Sequence, residues 1–400
     1  MDTQLLADIE KGTKSALIQK NIINYLILNN SATITEISNW IDLSIPTVTK
    51  TIIGMCEKGY IEDYGKLETT GGRYPNLYGL NSKSAYFVGV DLKQNAVDIG
   101  LIDFKGDTIS LETQIPLKIK NTPECLDELC HIILNFIDRQ PIDKTKVLNI
   151  NLNISGRVNP ESGYSYSLFY FQERPLVDIM KEKLNYRVSI NNDTRAMAYG
   201  EYLKAVKNEK NIIFVNVSWG LAIGIIIDGK IYSGKSGFAG EFGHVKASDN
   251  EVLCRCGKKG CLETEASGFA MHRMLLEKME EGGSSILNKI VENGNQIYLD
   301  DIIDAILKED VLCIDIVEKI GYKLGEQVAG LINIFNPEMV IIGGTVSVVG
   351  DYLMQPIKSA IRKYSLNLVN KDTNIVESKL KDRAGVIGSC LLSRSCLFNI

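Results

Sequence analysis

The chain has 400 residues, 44 Lys and Arg against 49 Asp and Glu, a net charge of −5, and 45% hydrophobic and 23% charged residues. The length predicts two or three domains, and the composition excludes a disordered or low-complexity chain. The slight acidity excludes attraction of nucleic acid by the molecule as a whole, so any DNA contact must come from a local surface.

In chain order, Met1-Asp2-Thr3-Gln4 lacks the basic start and apolar run of a secretory signal, and a cytoplasmic protein is expected. Ile18, Ile22, Ile23, Leu26 and Ile27 form one apolar helical stripe. Thr33 and Glu36 have capping-box spacing and open a short helix carrying Ile37, Trp40 and Ile41. Ser44 is a candidate N-cap, and Pro46 falls in a first turn, where its missing N–H costs nothing. The helix that follows points Val48, Ile52 and Met55 inward and ends at Gly59. Tyr60-Ile61 and Leu77-Tyr78-Gly79-Leu80 read as paired strands around a turn-rich tip from Gly65 to Gly72. Three helices and a two-stranded wing are therefore expected, the shape of a winged helix-turn-helix.

In such a motif one helix braces another that lies in the major groove. With Val48, Ile52 and Met55 facing the core, Ile45, Thr47 and Lys50 point outward, with Thr49 near the edge. Hydroxyls and a lysine suit base edges and phosphates, and Arg73 in the wing suits a minor groove or a phosphate. Residues 1–80 hold seven basic and nine acidic side chains, a balance that argues mildly against strong DNA affinity and leaves a small helical protein-interaction domain as the alternative, although Lys50, Lys66 and Arg73 could still cluster on one face.

After Ser84 strands dominate. Tyr86 to Leu92 and Ala96 to Ile102 predict a hairpin, with a third strand at Asp107 to Leu111. Thr122-Pro123 caps a helix bearing Leu126, Leu129, Ile132, Ile133 and Phe136, and Val147 to Ile154 alternates as a strand. A helix follows Asp193. Ile212 to Ile227, interrupted by Asn216, Ser218, Gly220 and Gly224, predicts two buried strands and a turn rather than a membrane span. Helices at Ala266 to Glu280 and Val311 to Ile334, a strand at Met339 to Ile342 and a helix from Ala384 follow. Two α/β halves with a ligand-holding cleft are expected.

Nine cysteines at irregular spacing predict reduced thiols or metal ligands rather than a disulfide framework. His244, Cys254, Cys256 and Cys261 supply one imidazole and three thiolates, a set suited to tetrahedral Zn²⁺, with Gly257 and Gly260 letting the loop fold around it. With four protein ligands the ion is expected to be structural. Glu241, Glu263 and Asn191-Asn192-Asp193 supply amides and carboxylates of the kind that sugar hydroxyls need, and an Asp so placed could act as a general base. Taken singly, each acid reads first as a solvated surface group or helix cap; only their joint spacing points to a sugar site.

Gly237-Phe238-Ala239-Gly240-Glu241-Phe242-Gly243-His244, followed by Cys254-x-Cys256-Gly257-x-x-Gly260-Cys261-Leu262-Glu263, resembles the signature of the ROK family (repressor, open reading frame, kinase). Asn192-Asp193 matches its substrate-binding pair, and Asn336-Pro337-Glu338 leading to Gly343-Gly344-Thr345 resembles its nucleotide-side glycine segment. Thr47-Val48-Thr49 and Gly71-Gly72-Arg73-Tyr74-Pro75 are similar to the DNA-binding domain of its repressor branch. The resemblance implies a winged helix-turn-helix at residues 1–82 and an α/β actin-like (ribonuclease H-like) sugar-kinase fold of two lobes with a cleft. The lobes would span 85–195, with the helix at about 384–400 returning to the first, and 196–383, holding the zinc site. It implies sugar contacts from Gly156, Asn192, Asp193, Glu241, His244 and Glu263, with Asp193 the catalytic base only where kinase activity is retained.

Two departures bear on that activity. Family kinases resemble Asp-x-Gly-Gly-Thr in the first hairpin turn, where this chain has Asp91-Leu92-Lys93-Gln94-Asn95. Side chains at 93 and 94 add bulk where a phosphate needs open N–H groups, although Lys93 could itself pair with phosphate. The second phosphate loop, typically Gly-Thr-Gly, reads Ser218-Trp219-Gly220. The expectation is a sugar-responsive transcriptional regulator, a repressor by its branch, with operator DNA and a small sugar or sugar phosphate as partners. It is expected to form a homodimer or higher homo-oligomer and to use neither ATP/Mg²⁺ nor a membrane. The alternatives are a glucokinase-like, ATP-dependent sugar kinase with an accessory front domain, and a protein-binding adaptor.

Overall fold

The computed structural model describes residues 3–66, 75–206 and 208–398. The chain divides into two compact units, Met1–Asp193 with Val386–Ile400, and Thr194–Gly385.

Unit 1 begins with the winged domain. α1 (Thr3–Glu10) and α2 (Lys14–Asn29) are followed by β1 (Ser31–Thr33), α3 (Ile34–Ile41), α4 (Ile45–Glu57), β2 (Ile61–Lys66) and β3 (Asn76–Leu80). Ile22, Ile23, Leu26 and Ile27 of α2, Ile37 of α3, and Val48, Ile52 and Met55 of α4 form its buried core. The structure adds α1 and a third strand to the expected three helices and two-stranded wing. β1 pairs antiparallel with β3, giving the order β1-β3-β2. Three residues leave no visible alternation, and their pairing is with a segment more than forty residues on.

The rest of unit 1 is built on β4 (Tyr86–Leu92), β5 (Ala96–Asp103), β6 (Thr108–Pro116), α5 (Pro123–Arg139), β7 (Val147–Ile154), the short hairpin β8 (Val158–Asn159) and β9 (Tyr164–Ser165), α6 (Leu176–Leu184) and β10 (Val188–Asn192). The sheet order is β10-β7-β4-β5-β6, with β10, β7 and β4 parallel and the hairpin strands antiparallel. Strand alternation sends Val88, Val90, Ile150 and Leu152 into one core with Leu126, Leu129, Ile133 and Phe136 of α5. The opposite face is polar in its middle, as β7 places Asn149, Asn151 and Asn153 there, all fully buried.

Unit 2 takes all but the first residue of α7 (Asp193–Ala205). β11 (Ile212–Val217), β12 (Leu221–Ile227) and β13 (Lys230–Ile231) come next, and the expected apolar stretch is indeed an antiparallel pair. α8 (Gly268–Glu280), α9 (Asn288–Glu292), α10 (Leu299–Leu307) and α11 (Val311–Phe335) precede β14 (Met339–Gly343), α12 (Asp351–Tyr364), α13 (Asn367–Asp372) and β15 (Asn374–Glu377). The sheet order is β13-β12-β11-β14-β15. α14 (Ala384–Phe398) closes the chain. From Val386 onward it lies in unit 1, against the polar face of β7 and so close to β4 that a Cβ at Gly89 would stand 2.2 Å from the Cys390 nitrogen. No helix among the described residues is long and apolar enough to cross a membrane.

Candidate functional site

The face expected to read DNA rests on α3 and α4. The Thr33 hydroxyl accepts from the Glu36 N–H, and Glu36 accepts from the Thr33 N–H at 2.8 Å, a complete capping box. Ser44 does not cap α4 with its side chain; its hydroxyl pairs with that of Thr47 at 2.9 Å. Ile45, Thr47 and Lys50 are exposed and Thr49 is half-buried, its hydroxyl donating to the Ile45 carbonyl at 2.8 Å. Ile53, absent from the expected reading face, is 51% exposed. It continues the Ile45–Thr49 row at helical spacing, a signal that the four-residue interval itself carries. Trp40 of α3 is also half exposed, its ring 5.2 Å from that of Tyr25. Arg73 and its neighbours Gly71, Gly72 and Tyr74 lie outside the described residues.

In unit 1, Gly156, Asn192 and Asp193 come together where β7 and β10 end. The Asn192 amide donates to the Gly156 carbonyl at 3.0 Å, and the Ser155 hydroxyl donates to Asp193 at 2.5 Å. Ser155 was not anticipated; it prolongs the polar row of β7 by one more alternate position. Behind it the Asn153 amide donates to Asp91 at 2.9 Å. Asp91 is buried, and desolvation pushes its carboxyl up to about 7, with the Asn153 hydrogen bond opposing the rise and the Asp193 charge adding to it.

In unit 2, the run from Gly237 to His244 presses against β12. The Gly240 carbonyl accepts from the Ile223 N–H at 2.9 Å, and a Cβ on Gly240 (φ 98°) would stand 2.1 Å from the Ile223 oxygen. This contact delivers Glu241 and His244 next to each other, with Glu241 Oε2 3.7 Å from His244 Nε2. The other ring nitrogen, Nδ1, is 3.6 Å from Cys254 Sγ. Cys256 and Cys261 Sγ are also 3.6 Å apart, and all four donor atoms lie within 4.8 Å of one another. A tetrahedron of zinc–sulfur bonds of about 2.3 Å has edges of roughly 3.7 Å, so the donor set fits such an ion. Gly257 and Gly260 have φ of 84° and 76°, as the loop requires. Burial pushes the Cys254 thiol up to about 12, so a bound cation is what would hold it as thiolate.

Glu263 is buried rather than open. It accepts from the Leu221 N–H at 3.2 Å, with the Arg255 guanidinium and Cys254 Sγ each 3.7 Å away. Arg255 was missed because a lone arginine between two cysteines carries no positional signal.

Both phosphate-loop positions are occupied by side chains with partners. Lys93 Nζ is 2.5 Å from the buried carboxylate of Asp98 on β5, rather than standing open to a phosphate. Trp219 follows β11 and stacks edge-on to Phe269, centroids 6.1 Å apart, and against His272 at 5.6 Å, over the first turns of α8. Its neighbour Ser218 accepts from the Thr345 N–H at 3.0 Å, joining this loop to the glycine segment after β14.

The sequence profile of the ROK family matches residues 87–395, from β4 into α14. The chain belongs to the ROK family. It is 32% identical over 384 residues to the xylose repressor of Caldicellulosiruptor bescii, covering 94% of each chain. To the DNA-binding transcriptional dual regulator NagC of Escherichia coli it is 27% identical, over 98% of this chain and 95% of the other. A crystal structure of a ROK family transcriptional regulator, a homologue of the E. coli MLC protein, superposes with a TM-score of 0.81 at 25% identity, covering 96% of both chains. A ROK family glucokinase from Streptomyces griseus, in complex with glucose and AMPPNP, gives a TM-score of 0.66 at 25% identity. That match covers all of the glucokinase but 78% of this chain. The ROK fold of two actin-like lobes is therefore preceded here, as in the regulator, by a further domain.

Proposed function

We infer that this ROK protein is a sugar-responsive transcriptional regulator of the repressor type. The observation that carries the reading is the pairing of an N-terminal helix-turn-helix with ROK lobes in which the side chains at the two expected phosphate-loop positions are engaged elsewhere, Lys93 with Asp98 and Trp219 with Phe269. Similarity along nearly the whole chain to the xylose repressor and to NagC supports it. In this reading α4 meets operator DNA through Ile45, Thr47, Thr49 and Lys50, with Arg73 contributing from the wing. The small-molecule ligand is a sugar or sugar phosphate. Asn192 and Asp193, beside Gly156, and Glu241, His244 and Glu263 supply the acceptors and donors for its hydroxyls. His244, Cys254, Cys256 and Cys261 hold one structural Zn²⁺, which would fix the loop that carries Glu263 and would leave His244 Nε2 facing Glu241. The protein works in the cytoplasm as a homodimer or larger homo-oligomer, because helix-turn-helix proteins commonly read paired half-sites.

The test uses the full chain and a duplex selected by it from a random pool. D-xylose, N-acetyl-D-glucosamine and D-glucose are each added with and without Mg-ATP, and both DNA release and sugar phosphate are measured. Sugar-dependent release without phosphate formation is expected, weakened roughly tenfold or more by Asp193→Asn, the loss of a charged hydrogen-bond partner. Sustained sugar-phosphate formation abolished by Asp193→Asn would establish the kinase instead.

A further inference from the structure

One face of β7 carries Asn149, Asn151 and Asn153, and Ser155 continues the row just past the strand's end. Ser155 donates to Asp193, and the Asn153 amide donates to Asp91. The Asn151 amide donates to Asn153 Oδ1 and to the Ser389 hydroxyl, each at 3.0 Å. Ser389 in turn donates to the Asn151 carbonyl at 2.9 Å and accepts from the Val90 N–H at 3.1 Å. At the far end the Asn149 amide donates to the Ser393 carbonyl at 3.0 Å, and the Ser393 hydroxyl donates to the Asn149 carbonyl at 2.8 Å. α14 is thus bonded rung by rung to a strand whose other end holds Asp193. Strand and helix are joined at each of these rungs, with Asn149 Oδ1 the one oxygen of the row that is buried without a partner, and a polar network paired at so many points holds its members in register.

The last turns of α14 hold the winged domain. Arg394, one residue past Ser393, is buried and donates to the carbonyls of Phe104 at 3.1 Å and Lys105 at 2.5 Å in the β5–β6 turn. The guanidinium fits because Gly106 has no side chain, a Cβ there standing 2.6 Å from it. The turn then presents Lys105 to the wing, its Nζ 4.5 Å from the centre of the Tyr64 ring on β2. The Tyr64 ring lies over Gly79 of β3, where a Cβ would come within 2.1 Å, and its hydroxyl donates to the Leu80 carbonyl at 2.7 Å. A second tie runs from the Asn24 amide of α2 to the Phe398 carbonyl of α14 at 3.1 Å.

We propose that the polar row of β7 and the helix α14 relay the sugar response from Asp193 to the winged domain, with Arg394 and Lys105 as positioning residues that hand it to Tyr64. This rests on the proposed function and names the route of its regulation. A sugar that binds differently to two arrangements of the Asp193 end shifts the pair of arrangements by that difference, and the DNA affinity follows. Altered coupling between sugar and DNA is the signature of such a route.

Lys105→Met keeps length and removes the cation at a partly exposed position, while Arg394→Met removes the buried donor. In full-length protein, the affinity for the selected duplex is measured by fluorescence anisotropy without sugar and with saturating D-xylose or N-acetyl-D-glucosamine. Affinity for each sugar is measured separately by calorimetry. The wild-type ratio of the two DNA affinities is expected in the range of about 5–150. In Lys105→Met and Arg394→Met it should fall to within about twofold of one, with the sugar affinity unchanged. A wild-type ratio that Lys105→Met leaves intact, whatever the fate of Arg394→Met, overturns the relay and leaves the proposed function standing. A wild type whose DNA affinity ignores every sugar that binds it removes the proposed function and the relay together.

Discussion

Asp91 is a carboxyl kept in the sheet interior by Asn153 and raised from its ordinary 3.8 to about 7 by burial. Between those values the folded chain holds a proton that the unfolded chain has released. Stability from this group is therefore full at the acid end of the interval and is lost as pH rises toward 7. Asp91→Asn removes the titration while leaving an oxygen to accept from Asn153. Its melting temperature should match that of the wild type near pH 4.5 and exceed it at pH 8. Equal differences at the two pH values, read by differential scanning calorimetry, would show that the carboxyl is not the titrating group. Single residues are unevenly legible in the sequence. Val48, Ile52 and Met55 follow from helical spacing, because burial there is set by one local face. The partner of Lys93 does not, because Asp98 reaches it across a hairpin, and neither hairpin spacing nor charge says whether a lysine turns back or stays open.

At the scale of the element, α4 and the cysteine loop make separate predictions. Lys50→Ala should weaken binding to the selected duplex and lower the slope of log affinity against log salt by about one, as expected for one lost phosphate contact. An unchanged slope, with normal folding by circular dichroism, would move the reading face away from Lys50. Cys256→Ser should lower the zinc content from about one ion per chain, measured by elemental analysis of reduced protein, and destabilise unit 2 while α2 to α4 keep their exchange protection. Long elements with strong periodicity or caps are readable: α2, α5, α11 and the β11–β12 pair lie within a few residues of their expected positions. α12 escapes because Pro356 stands inside it and interrupts a pattern that would otherwise read as helix. β1 and β15 are three and four residues long and exist through pairing with distant strands, which no local window contains. The four donor atoms around His244 are legible as a set, yet the burial of Glu263 is not. That burial follows from how tightly the β11–β12 turn packs on it, with a Cβ at Gly220 standing only 2.8 Å from its Oε2.

For the whole molecule, the proposed homodimer, with a reading head on each copy, predicts a paired footprint. Protection of the selected duplex should appear as two half-sites whose centres are separated by whole turns of about 10–10.5 base pairs. Inserting five base pairs between them should cost most of the affinity, and a single half-site protected at full strength would argue for a monomeric reader. The chain also contains two tryptophans, and they report on different events. Trp40 sits half exposed against Tyr25 on the bracing helix, while Trp219 packs on Phe269 and His272 in the loop that follows β11. Trp219→Phe leaves an emitter beside the proposed DNA-reading surface, and Trp40→Phe leaves one in the loop after β11. The protein is thereby its own pair of optical probes. Stopped-flow emission from the two single-tryptophan forms would time the arrival of sugar and the departure of DNA as separate signals, without any attached dye.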